Sequence, residues 1–421
     1  MTPRERVRAA LNHTQPDRVP VDFGSTMVTG ISVSVVSKVR KTLGLDSPKD
    51  RVRVIEPYQM LGEIQEDLRE KLSIDCIGLF GTKNMFGFEN RDWKEWRTFD
   101  GTDVLVPGLF NTEPDKNGDI PMYAEGDRSY PPAAKMPRGG FYFDSTFRQH
   151  PLDDNNLNVG DNLEEFGVYS DAELAHLEKE SRLLYTSTDR ALVYSMGGTS
   201  FGDIAFVPGP MLKDPKGIRA VEEWYVSTIL RKEYVREVFE RQCEIALRNL
   251  PLVKEAVGDR IDVIFITGTD FGTQRGPFIS PDAYRDLYQP VHKRLCEWIH
   301  KHTPWKVFLH SCGGIRPLIK DMIDAGFDIL NPVQCSAEGM EARKLKEDFG
   351  NKITFWGGGA DTQKTLPFGS PEEVYSEVSE RIRIFNKGGG FVFNAIHNVQ
   401  TGTPVENFMA MLNAIGDSCK S

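Results

Sequence analysis

The stretch DVIFITGTDFGTQRGPFISPDAYRDLYQPVHKRLCEWIHKHTPWKVFLH, residues 262–310, decides the fold. It opens and closes with short apolar runs at 262–267 and 306–310, which are typical of strands buried on both faces. Between them, Ser280 and Pro281 form a helix start signal, and the residues that follow have helical periodicity. A strand, a helix and a second strand in this order predict parallel pairing through a right-handed crossover.

The same unit recurs along the chain. Six more apolar runs bring the predicted strands to eight, at 18–23, 75–80, 191–196, 328–332, 353–356 and 391–395. Helix signals separate most of them, including a glycine stop at Gly326, a capping box from Ser370 to Glu373, and a similar start at Thr403. We therefore predict an α/β fold, a (β/α)8 TIM barrel; a doubly wound open sheet is the alternative, because one sequence does not give strand order.

Two segments interrupt this rhythm. Residues 82–160 are rich in Trp, Pro, Gly and Asp, and residues 161–190 are acidic and helical in pattern. We predict a single barrel over 1–421, with residues 82–190 inserted between strands 2 and 3. In a barrel this insertion would lie over the carboxyl ends of the strands as a lid or small subdomain.

Composition narrows the class of protein. Lys+Arg 51 against Asp+Glu 61 gives a net charge of −10, which argues against nucleic acid or an anionic membrane as partner. No apolar run has membrane-spanning length, and the charged amino terminus shows no secretory signal. The six cysteines are too scattered for a disulfide scaffold and fit a reducing compartment. We expect a cytoplasmic protein.

Four candidate metal ligands lie at predicted strand ends. His310 and Cys312 are two residues apart in an extended segment, so their side chains point to the same side. Cys335 and His397 follow two other strands. Imidazole and thiolate ligands together suit zinc. The alternative is that the cysteines are small buried apolar residues and the histidines are hydrogen-bonded core residues.

Other polar residues at strand ends are candidates for catalysis or substrate binding. Asp270 follows the 262–267 strand, where it could act as a general base, orient a metal-bound imidazole, bind a polar substrate, or only cap its own turn. The predicted substrate-binding residues are Asp22, Gln274, Asn331, Gln334, Asn394 and Asn398. The glycine runs at 357–359 and 388–390 do not have the spacing of a nucleotide-binding loop.

Several of these segments resemble one family. The motifs are TPRERVRAALNHTQPDRVPVDFG at 2–24, GTDFGTQRGPFISPDAYRDLYQP at 268–290, HSCGGIRPLI at 310–319, DAGFDILNPVQ at 324–334, FWGGGADTQKTLPFGSPEEV at 355–374 and GGGFVFNAIHNVQTGTPVENF at 388–408. Together they resemble the uroporphyrinogen decarboxylase superfamily over most of the chain. Residues 82–190 are the least typical part. The resemblance implies a (β/α)8 barrel.

The resemblance implies two activities. One is metal-free decarboxylation in tetrapyrrole metabolism, but VPVDFGSTMVTGIS at 19–32 replaces that branch's arginine-rich motif. The other is methyl transfer to or from a corrinoid, with zinc held by a His-x-Cys…Cys pattern. His310 and Cys312 match its first two ligands, whereas His397 stands near the last, so either His397 or Cys335 would complete the site.

The resulting hypothesis is a zinc-dependent methyltransferase. It would move a methyl group between a protein-bound corrinoid and a small donor or a thiol or folate acceptor. The chain has no corrinoid-binding DxHxxG motif, so the corrinoid would arrive on a partner protein. The sequence leaves open whether two copies of the chain form a homodimer. The alternatives are the decarboxylase and a non-catalytic barrel that binds a ligand.

Overall fold

Seven parallel strands form the central sheet of the computed structural model, which describes residues 1–47 and 51–418. In chain order, β1 to β7 are Cys76–Leu79, Ala191–Ser195, Val263–Thr267, Lys306–His310, Ile329–Asn331, Thr354–Trp356 and Phe391–Val392. Each strand pairs with the next one in the chain. This sequential parallel order is that of a barrel and differs from a doubly wound sheet.

The amino-terminal segment joins the two edges of this sheet. Val21 forms a parallel bridge with Phe393, and the Phe393 N–H donates to the Pro20 carbonyl at 2.7 Å. On the other side, the Asp75 N–H donates to the Val21 carbonyl at 2.8 Å. The predicted strand at 18–23 is therefore wrong as a regular strand, because only its central residues pair. It still occupies the eighth position, and the TIM-barrel class is confirmed.

Helices follow most of the strands. Their bounds are Pro3–Leu11, Val33–Thr42, Glu66–Lys71, Asp171–Ser187, Val221–Leu230, Lys232–Val257, Pro281–Ala283, Gln289–His302, Arg316–Ala325, Ala342–Phe349, Thr365–Phe368, Pro371–Phe385 and Val405–Asp417, with a π-helical turn at Tyr284–Tyr288. Ser280 caps its helix, the capping box from Ser370 to Glu373 is present, and Gly326 ends a helix at φ 104. The start predicted at Thr403 is wrong, because the last helix begins after Pro404 without a side-chain cap.

The barrel interior is a small apolar cluster. It contains Val193, Phe265, Phe308, Ile329 and Trp356 from five strands, and the helix Pro3–Leu11 adds Val7, Ala10 and Leu11. Since side chains alternate along a strand, the residue two positions after Phe308 points to the same interior. The same holds for the residue two positions after Ile329. His310 and Asn331 thus lie above the packed layer, at the carboxyl ends of β4 and β5.

The residues between β1 and β2 contain short antiparallel strands and one long helix. The strands are Lys94–Arg97 with Asp103–Val106, and Ile120–Met122 with Ala134–Met136 and Asp144–Ser145. Their aromatic side chains pack together, with the Phe143 ring 5.7 Å from Phe86 and 5.9 Å from Phe110. The division of the chain at 82–190 stays a prediction.

Two short hairpins complete the strands, Val54–Glu56 with Leu61–Gly62 and Gly272–Thr273 with Gly276–Pro277. The second hairpin follows β3 at the same end as His310. Within residues 1–47 and 51–418, none of the helices combines the length and the apolar composition needed to cross a bilayer.

Candidate metal centre at the barrel mouth

His310, the last residue of β4, has a fixed tautomer. Its side chain is 5% exposed, and its Nδ1 lies 2.6 Å from the Asn331 Oδ1. The Asn331 Nδ2 donates to the Trp356 carbonyl at 2.8 Å, so Oδ1 must be the amide atom that faces His310. The His310 Nδ1 therefore carries the proton, and its Nε2 has a free lone pair. Burial lowers the pKa of His310 to about 4, so the ring is neutral near pH 7.

The thiol of Cys312 lies next to this lone pair. Its Sγ is 3.4 Å from the His310 Nε2. Two backbone hydrogen bonds hold the loop: the Cys312 N–H donates to the Asp270 Oδ1 at 2.6 Å, and the Gly313 N–H donates to the Gln334 Oε1 at 2.7 Å. Burial, and then the nearby Asp270 carboxylate, raise the pKa of the Cys312 thiol well above its usual range. Gln334 thus positions the loop, and its role in substrate binding stays a prediction.

His397 brings a second imidazole to the same place from the loop after β7. Its ring centroid is 5.4 Å from that of His310, at an interplanar angle of 74°. Burial, followed by the neighbouring His310, lowers the pKa of His397 to about 4. One ligand atom from each of His310, Cys312 and His397 lies within 4.8 Å of the other two. The structure therefore brings together three of the four predicted ligands.

This donor set fits a zinc ion. Sulfur and nitrogen bound tetrahedrally to one zinc are about 3.5 Å apart, close to the 3.4 Å between Cys312 Sγ and His310 Nε2. Two neutral imidazoles and one thiolate are borderline-soft ligands of the kind that zinc prefers. The Asn331 amide on the far nitrogen of His310 supplies the orienting hydrogen bond common to metal-bound histidines.

Cys335 is not part of this group. β5 ends at Asn331, so Cys335 lies four residues into the following loop, where the alternation of strand side chains no longer applies. Burial raises the pKa of the Cys335 thiol to about 11, and the charges that act on it are those of Arg381, Glu377 and Asp361. The prediction of Cys335 as a ligand alongside the other three is therefore wrong for this arrangement.

Asp270 lies beside the three ligands. Its Oδ1 is 3.8 Å from the His310 Nε2 and accepts the Cys312 N–H, and its side chain is 24% exposed. Burial raises the pKa of Asp270, whereas the Cys312 hydrogen bond lowers it. The carboxylate thus fixes the cysteine loop and still reaches the open side of the site.

Two residues at this end of the barrel escaped the sequence prediction. Asp203 is 5% exposed and accepts the Ala205 N–H at 2.8 Å. Burial, and then the charge of Asp270, raise its pKa to about 8. The Tyr225 hydroxyl is buried with no hydrogen-bond partner among the described residues, and Asp270 and Asp203 both raise its pKa after burial. Neither residue lies at the end of a strand, where the sequence pattern predicts ligand-binding residues.

Among the described residues, the buried aspartates at the opposite end of the barrel form ion pairs with arginines, unlike Asp203 and Asp270. Asp75, before β1, pairs with Arg6 at 2.6 Å and Arg18 at 2.7 Å. Asp262, before β3, pairs with Arg8 at 2.5 Å. No Arg or Lys forms an ion pair with Asp203 or Asp270 in the part of the chain that the structure describes. The amino-terminal face is thus built for stability, and the carboxyl-terminal face keeps uncompensated acids, as expected where a barrel binds its ligands.

Asp22 and Asn394 are buried in the barrel wall. The Asp22 carboxylate accepts the Ser25 hydroxyl at 2.7 Å and the Trp356 Nε1–H at 3.0 Å, and burial raises its pKa to about 6. The Asn394 Nδ2 donates to the backbone carbonyls of Asp22 and Thr29. The polar groups of these predicted substrate ligands are mostly used to tie the amino-terminal loop to β7.

Asn398 and Gln274 also have protein partners. The Asn398 Oδ1 accepts the Gly30 N–H at 2.5 Å, and its Nδ2 donates to the Met27 carbonyl at 2.9 Å. The exposed Gln274 donates to the Gln363 Oε1 at 3.0 Å. A role of these residues in substrate binding stays a prediction.

Removal of the Asn331 amide tests the orientation of His310. We expect Asn331→Ala to weaken zinc binding about 10- to 100-fold, because the imidazole loses the acceptor that fixes its tautomer. Asn331→Asp keeps an acceptor and should retain most of the affinity. Competition with a chromophoric chelator measures both, and equal affinity of Asn331→Ala and the unaltered protein would contradict this role.

Known proteins resemble this chain in two ways. Residues 228–417 match the family model described as uroporphyrinogen decarboxylase (URO-D). Among solved structures, a methyltransferase from Methanosarcina mazei has 17% sequence identity over 99% of each chain, with a TM-score of 0.56. That identity shows a shared fold alone. No curated protein matches the chain.

The matched residues include all three members of the metal-ligand group. The family model covers β3 to β7 and the helices between them, where all of the quoted sequence motifs lie except the one at 2–24. The predicted resemblance to the uroporphyrinogen decarboxylase family is confirmed over residues 228–417.

Proposed function

We propose that the protein is a zinc-dependent methyltransferase that moves a methyl group between a small substrate and a corrinoid carried by a partner protein. The observation that carries the proposal is the convergence of His310, Cys312 and His397 at the barrel mouth, with the free Nε2 of His310 facing the Cys312 sulfur. The name of the structural neighbour, a methyltransferase, agrees with it.

The number of protein ligands favours a catalytic zinc site over a structural one. Structural zinc sites are closed by four protein ligands, whereas catalytic ones have three and leave a position open. Here the three ligands come from the end of β4 and from the loops that follow β4 and β7, and Cys335 is not among them. Zinc bound there would supply Lewis-acid chemistry and lower the pKa of a substrate thiol or polarise a methyl donor.

The protein's own residues prepare this position. Asn331 holds the His310 ring, and Asp270 and Gln334 accept the N–H groups of the cysteine loop, so both ligands are in place before metal binds. Asp270, whose side chain is 24% exposed, lies beside the ligands, where a carboxylate can accept a hydrogen bond from a substrate or take its proton.

The decarboxylase alternative fits these charges less well. A tetrapyrrole with several carboxylates needs cations to bind it, yet the buried acids Asp203 and Asp270 have no Arg or Lys ion-pair partner in the described residues. Like charges at short range repel. Carbon dioxide release from uroporphyrinogen by the metal-free protein would favour the decarboxylase over our proposal.

Metal analysis of the purified protein tests the proposal. We expect one zinc per chain, and the assay that reports activity is methyl transfer from methylcobalamin to a small thiol, which forms the thioether and releases cob(I)alamin. The matched pair of variants is His397→Ala and Cys335→Ser. The first should lose metal and activity together, and the second should keep both. Full activity after exhaustive chelation would contradict the proposal.

Zinc binding should release about one proton near pH 7. The lowered pKa values of His310 and His397 make both imidazoles neutral there, so they release none, whereas the raised pKa of Cys312 keeps it a thiol that must lose its proton. Zinc affinity should therefore fall about tenfold per pH unit as pH is lowered towards about 4, where the imidazoles also protonate. Calorimetry in buffers of different ionisation enthalpy counts the protons; a release near zero would contradict this assignment.

A further inference from the structure

The His397 ring is the part of the metal-ligand group that lacks an orienting hydrogen bond. The His310 ring, by contrast, bonds to the Asn331 amide at 2.6 Å. In the part of the chain that the structure describes, no group forms a hydrogen bond with the His397 imidazole, and its ring contact is with His310, at 5.4 Å between centroids. The place of this ligand in the group therefore depends on the loop that carries it.

That loop is attached to the amino-terminal segment at two points. Phe393 forms a parallel bridge with Val21, and Val399 forms one with Ile31. Between these bridges, the backbone N–H and carbonyl groups of residues 397 and 398 form no hydrogen bond with any described residue. Side-chain contacts must therefore fix this part of the loop.

Asn398 follows the ligand directly and is fully buried. Its Oδ1 accepts the Gly30 N–H at 2.5 Å. Its Nδ2 donates to the Met27 carbonyl at 2.9 Å and to the Gln59 Oε1 at 2.6 Å. Because the oxygen faces a donor and the nitrogen faces two acceptors, the amide has one orientation. The side chain thus bonds to two separate segments, at 27–30 and at 59.

Gln59 is itself held in place. Its Nε2 donates to the Met27 carbonyl at 3.0 Å, which leaves its Oε1 to accept from Asn398. Its backbone N–H donates to the buried Glu56 carboxylate at 2.7 Å, and the Tyr58 N–H donates to the same carboxylate at 3.0 Å. The acceptor that Asn398 meets therefore belongs to a hydrogen-bonded turn.

We propose that Asn398 is the positioning residue for His397, with Gln59 as its support. Its amide ties the part of the loop without backbone hydrogen bonds to residues 27–30, so that the imidazole reaches the other two ligands. The inference rests on the proposed function, because it concerns how the zinc ligands are held. Loss of the amide would leave this part of the loop attached at its ends alone, and the third ligand would move out of the group.

Titration of the metal-free full chain with Co²⁺ tests this inference through visible absorption. Cobalt occupies the same kind of site as zinc; its d–d bands report the ligands around it, and a charge-transfer band reports a bound thiolate. We expect Asn398→Ala to bind Co²⁺ about 10- to 100-fold more weakly, because removing a group that orients a ligand has an effect of this size. The thiolate band of Cys312 should persist at saturation, whereas the d–d bands should shift as solvent replaces the imidazole.

Gln59→Ala and Asn407→Ala complete the comparison. The first removes one of the three Asn398 bonds from a half-buried position and should weaken Co²⁺ binding by a smaller factor. Asn407 is 2% exposed, and its Nδ2 donates to two backbone carbonyls, those of Leu366 and Gly369. Asn407→Ala therefore removes a comparable buried amide outside the ligand group and should leave the Co²⁺ affinity and spectrum unchanged.

Two results would overturn the inference: a Co²⁺ affinity of Asn398→Ala within about threefold of the unaltered protein, or an equal loss in Asn407→Ala. If Asn398→Ala fails to fold, Gln59→Ala decides, since weakened binding supports the inference and unchanged binding overturns it. An unaltered protein that binds no metal overturns the proposed metal chemistry and this inference with it. A metal site that Asn398→Ala leaves intact overturns the inference alone.

Discussion

The Cys312→Ser variant should lose zinc affinity by about 100- to 1,000-fold and methyl transfer with it. Structural zinc sites with four protein ligands bind with about 10–16 kcal/mol, which is roughly 3–4 kcal/mol for each ligand. A serine hydroxyl is not a thiolate, so it does not replace the binding free energy that the cysteine sulfur contributes. The Cys312 backbone bond to Asp270 does not involve the sulfur, so the loop should keep its conformation. Chelator competition measures the affinity.

Cys335→Ser is the matched control for this change. Both cysteines are half-buried and follow neighbouring strands, but Cys335 lies outside the ligand group. We expect its zinc affinity to stay within about threefold of the unaltered protein. If instead Cys335→Ser lost the metal and Cys312→Ser kept it, the ligand assignment would be wrong.

Asp75→Asn should destabilise the fold by about 3–5 kcal/mol. Asp75 is fully buried and pairs with Arg6 and Arg18, and its carboxylate also accepts the Val21 N–H at 2.9 Å. The neutral amide would leave Arg18 without a counter-ion and Arg6 with only the partly exposed Asp17. It would also loosen the segment that joins β7 to β1. Urea denaturation followed by circular dichroism measures the free energy of unfolding.

Asp103→Asn provides the comparison for that measurement. Asp103 pairs with Arg97 at 3.8 Å, and both side chains are more than half exposed. Exposed pairs of this kind contribute about 0–1 kcal/mol. Equal destabilisation by the two substitutions would contradict the view that the buried ion pairs hold the amino-terminal face of the barrel together.

Much of the barrel could be predicted because its strands are buried on both faces. The run KVFLH gives Lys306–His310 without error, and the other apolar runs differ from β1 to β7 by a few residues at their ends. The segment 18–23 has the same composition, but pairing of residues 20–22 alone leaves it short of a regular strand. Composition does not reveal how many residues a neighbour pairs with.

The site could be predicted only where strand geometry extends into it. Alternation of side chains along β4 places His310 and Cys312 on one side. In the structure the Cys312 Sγ is 3.4 Å from the His310 Nε2. The prediction of Cys335 as a metal ligand is wrong because β5 ends at Asn331, earlier than predicted. Asp203 and Tyr225 lie in a loop and on a helix, where no periodicity relates them to the barrel axis; only tertiary packing brings their oxygens near Asp270.

Anomalous scattering at the zinc edge from crystals of the purified protein tests the central claim most directly. Our account predicts one strong peak bounded by the His310 Nε2, the Cys312 Sγ and a ring nitrogen of His397. A zinc-supplied crystal with no peak there, or with its peak at Cys335, would contradict it.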